Sequence, residues 1–442
     1  MTLAPAYVST RGGSAPVSLS DAIARGLAPD GGLYVPDRLP AVDLQSLETL
    51  AGLPALARHA LAGFFRGDRL QERLGAIAAA ALNLEAPTTP VPACADPLQV
   101  LELWHGPTAA FKDFGARFLA ESLQQLEGAA ATPLTILVAT SGDTGGAVAA
   151  AFHRRPWVRV VILYPKGLVS PRQEQQLTCW GENVTSLRVD GSFDDCQRMV
   201  KEAFVNEELR QRHRFSSANS INIGRLLPQM VYYVASSLDV RRRFGASASY
   251  VIPAGNLGNA FAAVWARALG LPIGRIILAH NSNRTVPDYL QSGEWRPRPS
   301  VATLASAMDV GNPSNLERLR AIYPDIDSLR GALSAVSIDD AAIAARIRTD
   351  FKRFGVIWCP HSAVAAEAWA RLPPEQRAQG PWVLVATADP AKFAEVVAPL
   401  IGARIPVPEN LARLFERPSK FSEIDPTLAA LRIALMEHHA TV

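Results

Sequence analysis

Lysine is scarce in this 442-residue chain: of 44 basic side chains only Lys112, Lys166, Lys201, Lys352, Lys392 and Lys420 are lysines, and the rest are arginines. Arginine stays protonated and cannot condense with an aldehyde, so chemistry that needs a free amine has these six candidates. Cysteine is scarcer still. Cys94, Cys179, Cys196 and Cys359 are scattered with no CxxC pair, which gives neither zinc-site spacing nor a disulfide framework and fits a reducing compartment. Charged residues make up 19% of the chain against about 25% in ordinary globular usage, and the formal net charge is +3. That balance does not favour a nucleic acid or a membrane surface as partner. No segment approaches the roughly 20 uninterrupted apolar residues of a membrane span, and residues 1–13 lack a basic stretch followed by an apolar one. The expectation is a cytoplasmic protein.

What is abundant is apolar side chain, at 48%. A chain of this length and composition is expected to form two or three domains with cores that need no disulfide or structural metal. The first part reads as mainly helical and Ala/Leu-rich, broken by turn signals such as 29–32 (PDGG), and ends in a Pro/Thr-rich stretch, 86–97, expected to be a linker. Beyond it, apolar runs at 135–140, 158–163, 250–253, 275–279 and 382–387 read as buried strands. Helical patterns at 194–204, 225–236, 259–269 and 362–372 lie between them. Strand and helix alternating at this spacing predict an α/β fold with parallel sheets covered on both faces, divided into two lobes.

In such sheets ligands bind beyond the carboxyl ends of the strands. Three loops there stand out. Ser141-Gly142-Asp143-Thr144-Gly145-Gly146 offers small residues, hydroxyls and the amides of a helix start, a combination suited to a carboxylate. An ordinary glycine turn capped by Asp143 or Thr144 is the alternative. Ala254-Gly255-Asn256-Leu257-Gly258-Asn259 also feeds a helix and could cradle a phosphate, and it matches neither GxGxxG nor the Walker pattern. Thr387, before Ala388-Asp389-Pro390, sets a hydroxyl at a strand end.

A fourth segment, 103–114 (LWHGPTAAFKDF), sets Lys112 among aromatic and small residues at the start of a helix whose Phe114, Phe118, Leu119, Leu123 and Leu126 follow helical spacing. Desolvation and the positive end of a helix dipole both disfavour the ammonium form, which makes a lysine a nucleophile or base near neutral pH. The alternative is a surface lysine whose stem lies along apolar neighbours. A lysine to trap an aldehyde and a loop to hold a phosphate are the minimum apparatus for pyridoxal 5'-phosphate, which brings its own electron sink.

The run from His105 to Phe114 resembles the cofactor-lysine motif of the threonine synthase family, and the likeness recurs in order along nearly the whole chain. It includes Ser9-Thr10-Arg11-Gly12, residues 26–36, the SGDTGGA loop, Ser170-Pro171 with Gln173-Glu174, residues 193–197, Asn219-Ser220-Ile221-Asn222, residues 306–310, and Thr387 with Pro390-Ala391-Lys392-Phe393. The resemblance implies the tryptophan-synthase-β type of pyridoxal-phosphate fold (fold type II): an added, mainly helical N-terminal domain over 1–95, then a catalytic region over 96–442 of two α/β lobes, the second beginning near 245. It implies a lyase that converts O-phospho-L-homoserine and water to L-threonine and phosphate, the last step of threonine biosynthesis. A phospholyase giving 2-oxobutyrate, a serine/threonine deaminase and a silent metabolite-binding relative are the alternatives.

Carried over by residue, the resemblance makes Lys112 the lysine that holds the cofactor. Gly255, Asn256, Leu257, Gly258 and Asn259 become its phosphate loop, and Thr387 the partner of its pyridine nitrogen. Thr140, Ser141, Asp143 and Thr144 match the loop that meets the substrate carboxylate and the cofactor ring hydroxyl. Ser220, Asn222 and Arg225 are candidates for the substrate phosphate, with helix capping by Asn222 and a solvated Arg225 as the alternative. Lys392 lies in a second family motif without the apolar surroundings of Lys112. The chain departs from the commonest family pattern at Asn259, Arg284 and Asp389, and the opposite charges of the last two suggest a pair. A monomer or a homodimer is expected.

Overall fold

A computed structural model of the chain describes residues 4–437 apart from 129 and 131. Two sheets dominate it. The larger has six strands in the order Ser334–Ser337, Ile273–His280, Ala248–Pro253, Trp382–Ala386, Leu98–Glu102 and Thr88–Pro90, and only the last pair is antiparallel. The smaller has five parallel strands in the order Ser422–Ile424, Val184–Val189, Val158–Pro165, Leu134–Ala139 and Arg214–Ser217. Central strands such as Leu134–Ala139 and Trp382–Ala386 are buried at every position, as expected where helices cover both faces of a parallel sheet.

All five strands read from the sequence are present, with ends shifted by a few residues at most. The stretch expected to be a linker is not one. Thr88–Pro90 pairs with Leu98–Glu102, so residues 88–102 form a hairpin at the edge of the six-stranded sheet, the stretch 86–97 supplies its edge strand and turn, and a division at 95 cuts through it. The larger lobe therefore takes its first strands well before 245. The chain leaves it at the end of Leu98–Glu102, builds four of the five strands of the smaller sheet, returns at Ala248–Pro253, and later adds the fifth, Ser422–Ile424. Proline and threonine drew the eye to a linker, yet at a sheet edge proline costs no ladder hydrogen bond.

The N-terminal segment has no separate core. Its strands Tyr7–Ser9 and Tyr34–Pro36 pair with each other, and its helices Leu53–Ala60 and Leu74–Ala81 share one hydrophobic cluster with Lys112–Glu127 and Ile223–Phe244. Phe64 meets Trp265 at 5.8 Å between ring centroids, and Phe65 meets Phe118 edge-on at 6.2 Å. Arg318 locks the same junction. Fully buried, it donates to the carbonyls of Tyr34 at 3.1 Å, Ser220 at 3.3 Å and Ile221 at 2.6 Å, joining the N-terminal segment to both lobes. Among the described residues no helix is long and apolar enough to cross a membrane.

Replacing Arg318 by alanine strands three carbonyls and opens a cavity. The expected cost is about 2–4 kcal/mol, measured as a lowered midpoint in thermal or denaturant unfolding.

Candidate active site

The loops at the carboxyl ends of four strands converge between the lobes. Leu98–Glu102 leads to Lys112, Leu134–Ala139 to residues 140–144, Ala248–Pro253 to residues 254–259, and Trp382–Ala386 to Thr387. Backbone bonds join two of these loops: Phe111 N–H donates to the Thr387 carbonyl at 2.9 Å, and Asp389 N–H to that of Ala109 at 3.0 Å. Lys112 opens the helix Lys112–Glu127 because Asp113 turns back to accept from the amide and hydroxyl of Thr108, at 2.9 and 2.7 Å.

One cavity is lined by Lys112, Thr140, Ser141, Asp143, Thr144, Ser220, Arg225, residues 255–259 and Thr387, so nearly every candidate site residue comes together there. Lys112 keeps some accessible surface, and that surface lines the cavity; among the described residues its amine has no hydrogen-bond partner, only the face of Phe111 at 4.9 Å. Burial first, and the Arg225 guanidinium second, lower its pKa to about 8.

Each loop has a local reason for its shape. Leu257 adopts a left-handed conformation, φ 64°, that ends the loop and starts the helix Gly258–Ala268. At Gly255 a Cβ would stand 3.0 Å from the Met308 Cα, so the loop lies against 307–308 only because the residue is glycine. The Asn259 Oδ1 accepts from Tyr232 and Tyr233 at 2.6 and 2.8 Å, which turns its buried Nδ2 into a donor without a partner. In the other lobe Gly142 has φ 138°, and the Thr140 hydroxyl accepts from the amides of Gly142 and Gly145, both at 3.0 Å.

Three expectations change. Asn222 is not among the residues lining the cavity: it caps the helix Ile223–Phe244 through Gly224 N–H at 2.9 Å and donates to the carbonyls of Ile23 and Ser217. Arg225, by contrast, is buried and lines the cavity, donates to the Ala218 carbonyl, and its Nε, packed against Gly115, has no partner among the described residues. Arg284 and Asp389 do not pair; Arg284 meets Asp288 at 2.8 Å, while Asp389 caps residues 390–393 through Ala391 N–H.

The sequence reading missed two groups beside the cavity. His361 is buried; its Nε2 accepts from Ala307 N–H at 3.0 Å, its Nδ1 has no partner, and burial lowers its pKa to about 4, so it is neutral. Lys392, far from lacking crowded surroundings, is fully buried; its Nζ lies 2.9 Å from Asp143 Oδ1 and 2.7 Å from the Thr108 carbonyl. Burial pushes Asp143 upward, yet the Lys392 ammonium, by charge and hydrogen bond, and the Gln173 amide hold it below the usual carboxylate range. A signal for Lys392 existed in its motif, whereas nothing local marked His361.

Comparison with known proteins agrees with this geometry. The family model for pyridoxal-phosphate dependent enzymes matches residues 87–388, that for the threonine synthase N terminus 6–82, and that for the threonine synthase C-terminal region 362–434. The threonine synthase of Haemophilus influenzae is 39% identical over 428 residues, 95% of this chain and 97% of its own. Among solved structures, threonine synthase from Escherichia coli superposes with a TM-score of 0.90 at 37% identity, covering 98% of this chain and 100% of that one. PLP-bound threonine synthase from Brucella melitensis does so at 0.88 with 32% identity, covering 99% and 100%.

A lysine whose folded pKa is depressed from 10.5 to about 8 destabilises the fold while it is charged. The penalty is complete below pH 8 and is relieved as pH rises toward 10.5. In the cofactor-free chain, Lys112→Met is therefore expected to be more stable than the unaltered protein by about 2–3 kcal/mol at pH 7. That advantage should shrink between pH 8 and 10.5, as read from denaturant midpoints across pH.

Proposed function

This chain belongs to the threonine synthase family of pyridoxal-phosphate-dependent enzymes, and on that premise we propose that its interlobe cavity converts O-phospho-L-homoserine and water to L-threonine and phosphate. The carrying observation is Lys112, an amine with no partner in a desolvated cavity across from a glycine-shaped loop at a helix start.

Pyridoxal phosphate fits the residues present. Two buried polar atoms on residues that line the cavity, Asn259 Nδ2 and His361 Nδ1, have no partner among the described residues, a burial that is costly unless a polar ligand completes it. The loop over 255–259 would hold the phosphate with backbone amides at the N-terminus of Gly258–Ala268. Lys112 would hold the aldehyde carbon, and Thr387 the pyridine nitrogen. When bound, the cofactor supplies an electron sink for charge developing at the substrate Cα.

The protein's own groups do the rest. Lys112 Nζ, with a pKa near 8, is the base for the Cα proton and the best-placed acid and base for later transfers. Ser141 and Thr144, beside the amides that begin Asp143–Phe152, orient the substrate carboxylate. Ser220 and Arg225 meet the substrate phosphate as it leaves Cγ, while water adds at Cβ. A neutral hydroxyl at Thr387, in place of a carboxylate, would leave the pyridine nitrogen of a bound cofactor largely unprotonated and so moderate its electron sink. The near-balanced charge supports a small-molecule substrate. A cytoplasmic monomer or homodimer completes the proposal.

Incubation of the purified protein with O-phospho-L-homoserine is expected to yield phosphate and threonine in equal amounts. Phosphate accompanied by 2-oxobutyrate instead would assign a phospholyase, and no turnover would sink the proposal. Lys112→Ala is expected to abolish both turnover and the visible absorbance of the bound cofactor.

A further inference from the structure

One lysine lines the cavity and a second lies buried behind the Asp143 that lines it, and they are treated differently. Lys112 has no partner for its amine, whereas Lys392 spends its charge on Asp143 at 2.9 Å and donates to the Thr108 carbonyl at 2.7 Å. The two ends of that pair come from different lobes. Lys392 follows the strand Trp382–Ala386 of the six-stranded sheet, and Asp143 begins the helix that follows Leu134–Ala139 of the five-stranded one. Thr108, in turn, holds Asp113 beside Lys112. Gln173 Nε2 donates to the same Asp143 oxygen, Oδ1, at 3.1 Å.

We propose that Lys392 is a positioning residue for the reaction, holding the cavity-facing Asp143 carboxylate ionised and tied to the turn that carries Lys112. The proposal rests on the cavity being the site described above. Ionised, Asp143 is a pure hydrogen-bond acceptor toward a hydroxyl of the ligand; protonated, it becomes a donor and presents the wrong polarity. Without a cation a carboxylate this buried favours its neutral acid. The other charged or titratable groups facing the pair are His361, which is neutral, the Cys359 thiol, which burial pushes up, and Lys112; Asp113 and Asp389 face Lys392. Arg225 faces Lys112 rather than Asp143.

The test follows the pH dependence of cofactor capture by the full chain after its pyridoxal phosphate has been stripped with hydroxylamine, alongside kcat and KM. Lys392→Met is expected to acquire a new ionisation, at about pH 5–8, in both profiles, with kcat at least about 10-fold lower. Lys392→Arg is expected to restore the unaltered profile. In the double variant Lys392→Met with Asp143→Asn the new ionisation is expected to vanish, because the group that titrates is gone. An unchanged profile in Lys392→Met, or an ionisation that persists in the double variant, would overturn the proposal. Should Lys392→Met fail to fold, Asp143→Asn decides: it keeps the cation but replaces the all-acceptor carboxylate by a neutral amide with a donor in place of one oxygen, so kcat should fall with capture retained, and unaltered kcat and KM would refute the role. Capture lost in Lys392→Met but kept in Lys112→Ala would instead show that the wrong lysine had been assigned to the cofactor, a failure of the underlying site and not of the positioning role alone.

Discussion

A lysine and an aspartate 2.9 Å apart, both buried and each from a different lobe, set the electrostatics of this site. Taken out of water, neither charge is tolerable alone, and removal of one partner from such a pair typically costs about 3–5 kcal/mol. The pair therefore fixes more than a distance. It decides that Asp143 is an anion, that Lys392 is spent, and that Lys112 is the amine left without a hydrogen-bond partner.

The rest of the site is arranged around that division. Burial and the guanidinium of Arg225 press Lys112 toward its neutral form, while His361, held by Ala307 N–H, contributes no charge. Among the described residues, donors without partners at Asn259 and His361 belong to side chains that line the same space. Desolvation that would be a defect in a core serves here to keep an amine reactive and to leave polar atoms waiting for a ligand. The scaffold carries the cost through a shared core, in which the N-terminal helices, Trp265 and the Arg318 junction clamp both lobes.

Much of this was legible in the sequence because the signals are local. Apolar runs bounded by glycine loops marked the central strands, and the crowding around Lys112 needed only its neighbours in the chain. What was illegible depends on contacts distant in sequence. The hairpin at 88–102 looked like a linker because edge strands carry little apolar patterning. Lys392 looked ordinary because its partners, Thr108 and Asp143, lie some 250 to 280 positions away. Asn222 and Arg225 sit three residues apart, and only the packed structure separates the helix cap from the cavity cation. Asn259 stood out in the sequence only as a departure from the family pattern; two tyrosine hydroxyls convert it into an oriented donor.

The division of labour between the two lysines is open to direct chemical reading. Borohydride reduction of the protein charged with pyridoxal phosphate fixes the cofactor covalently to whichever amine holds it, and peptide mapping then identifies the residue. The pyridoxyl group should be found on Lys112, with Lys392 unmodified. Label on Lys392, or on any of the four remaining lysines, would contradict the assignment on which the site is built.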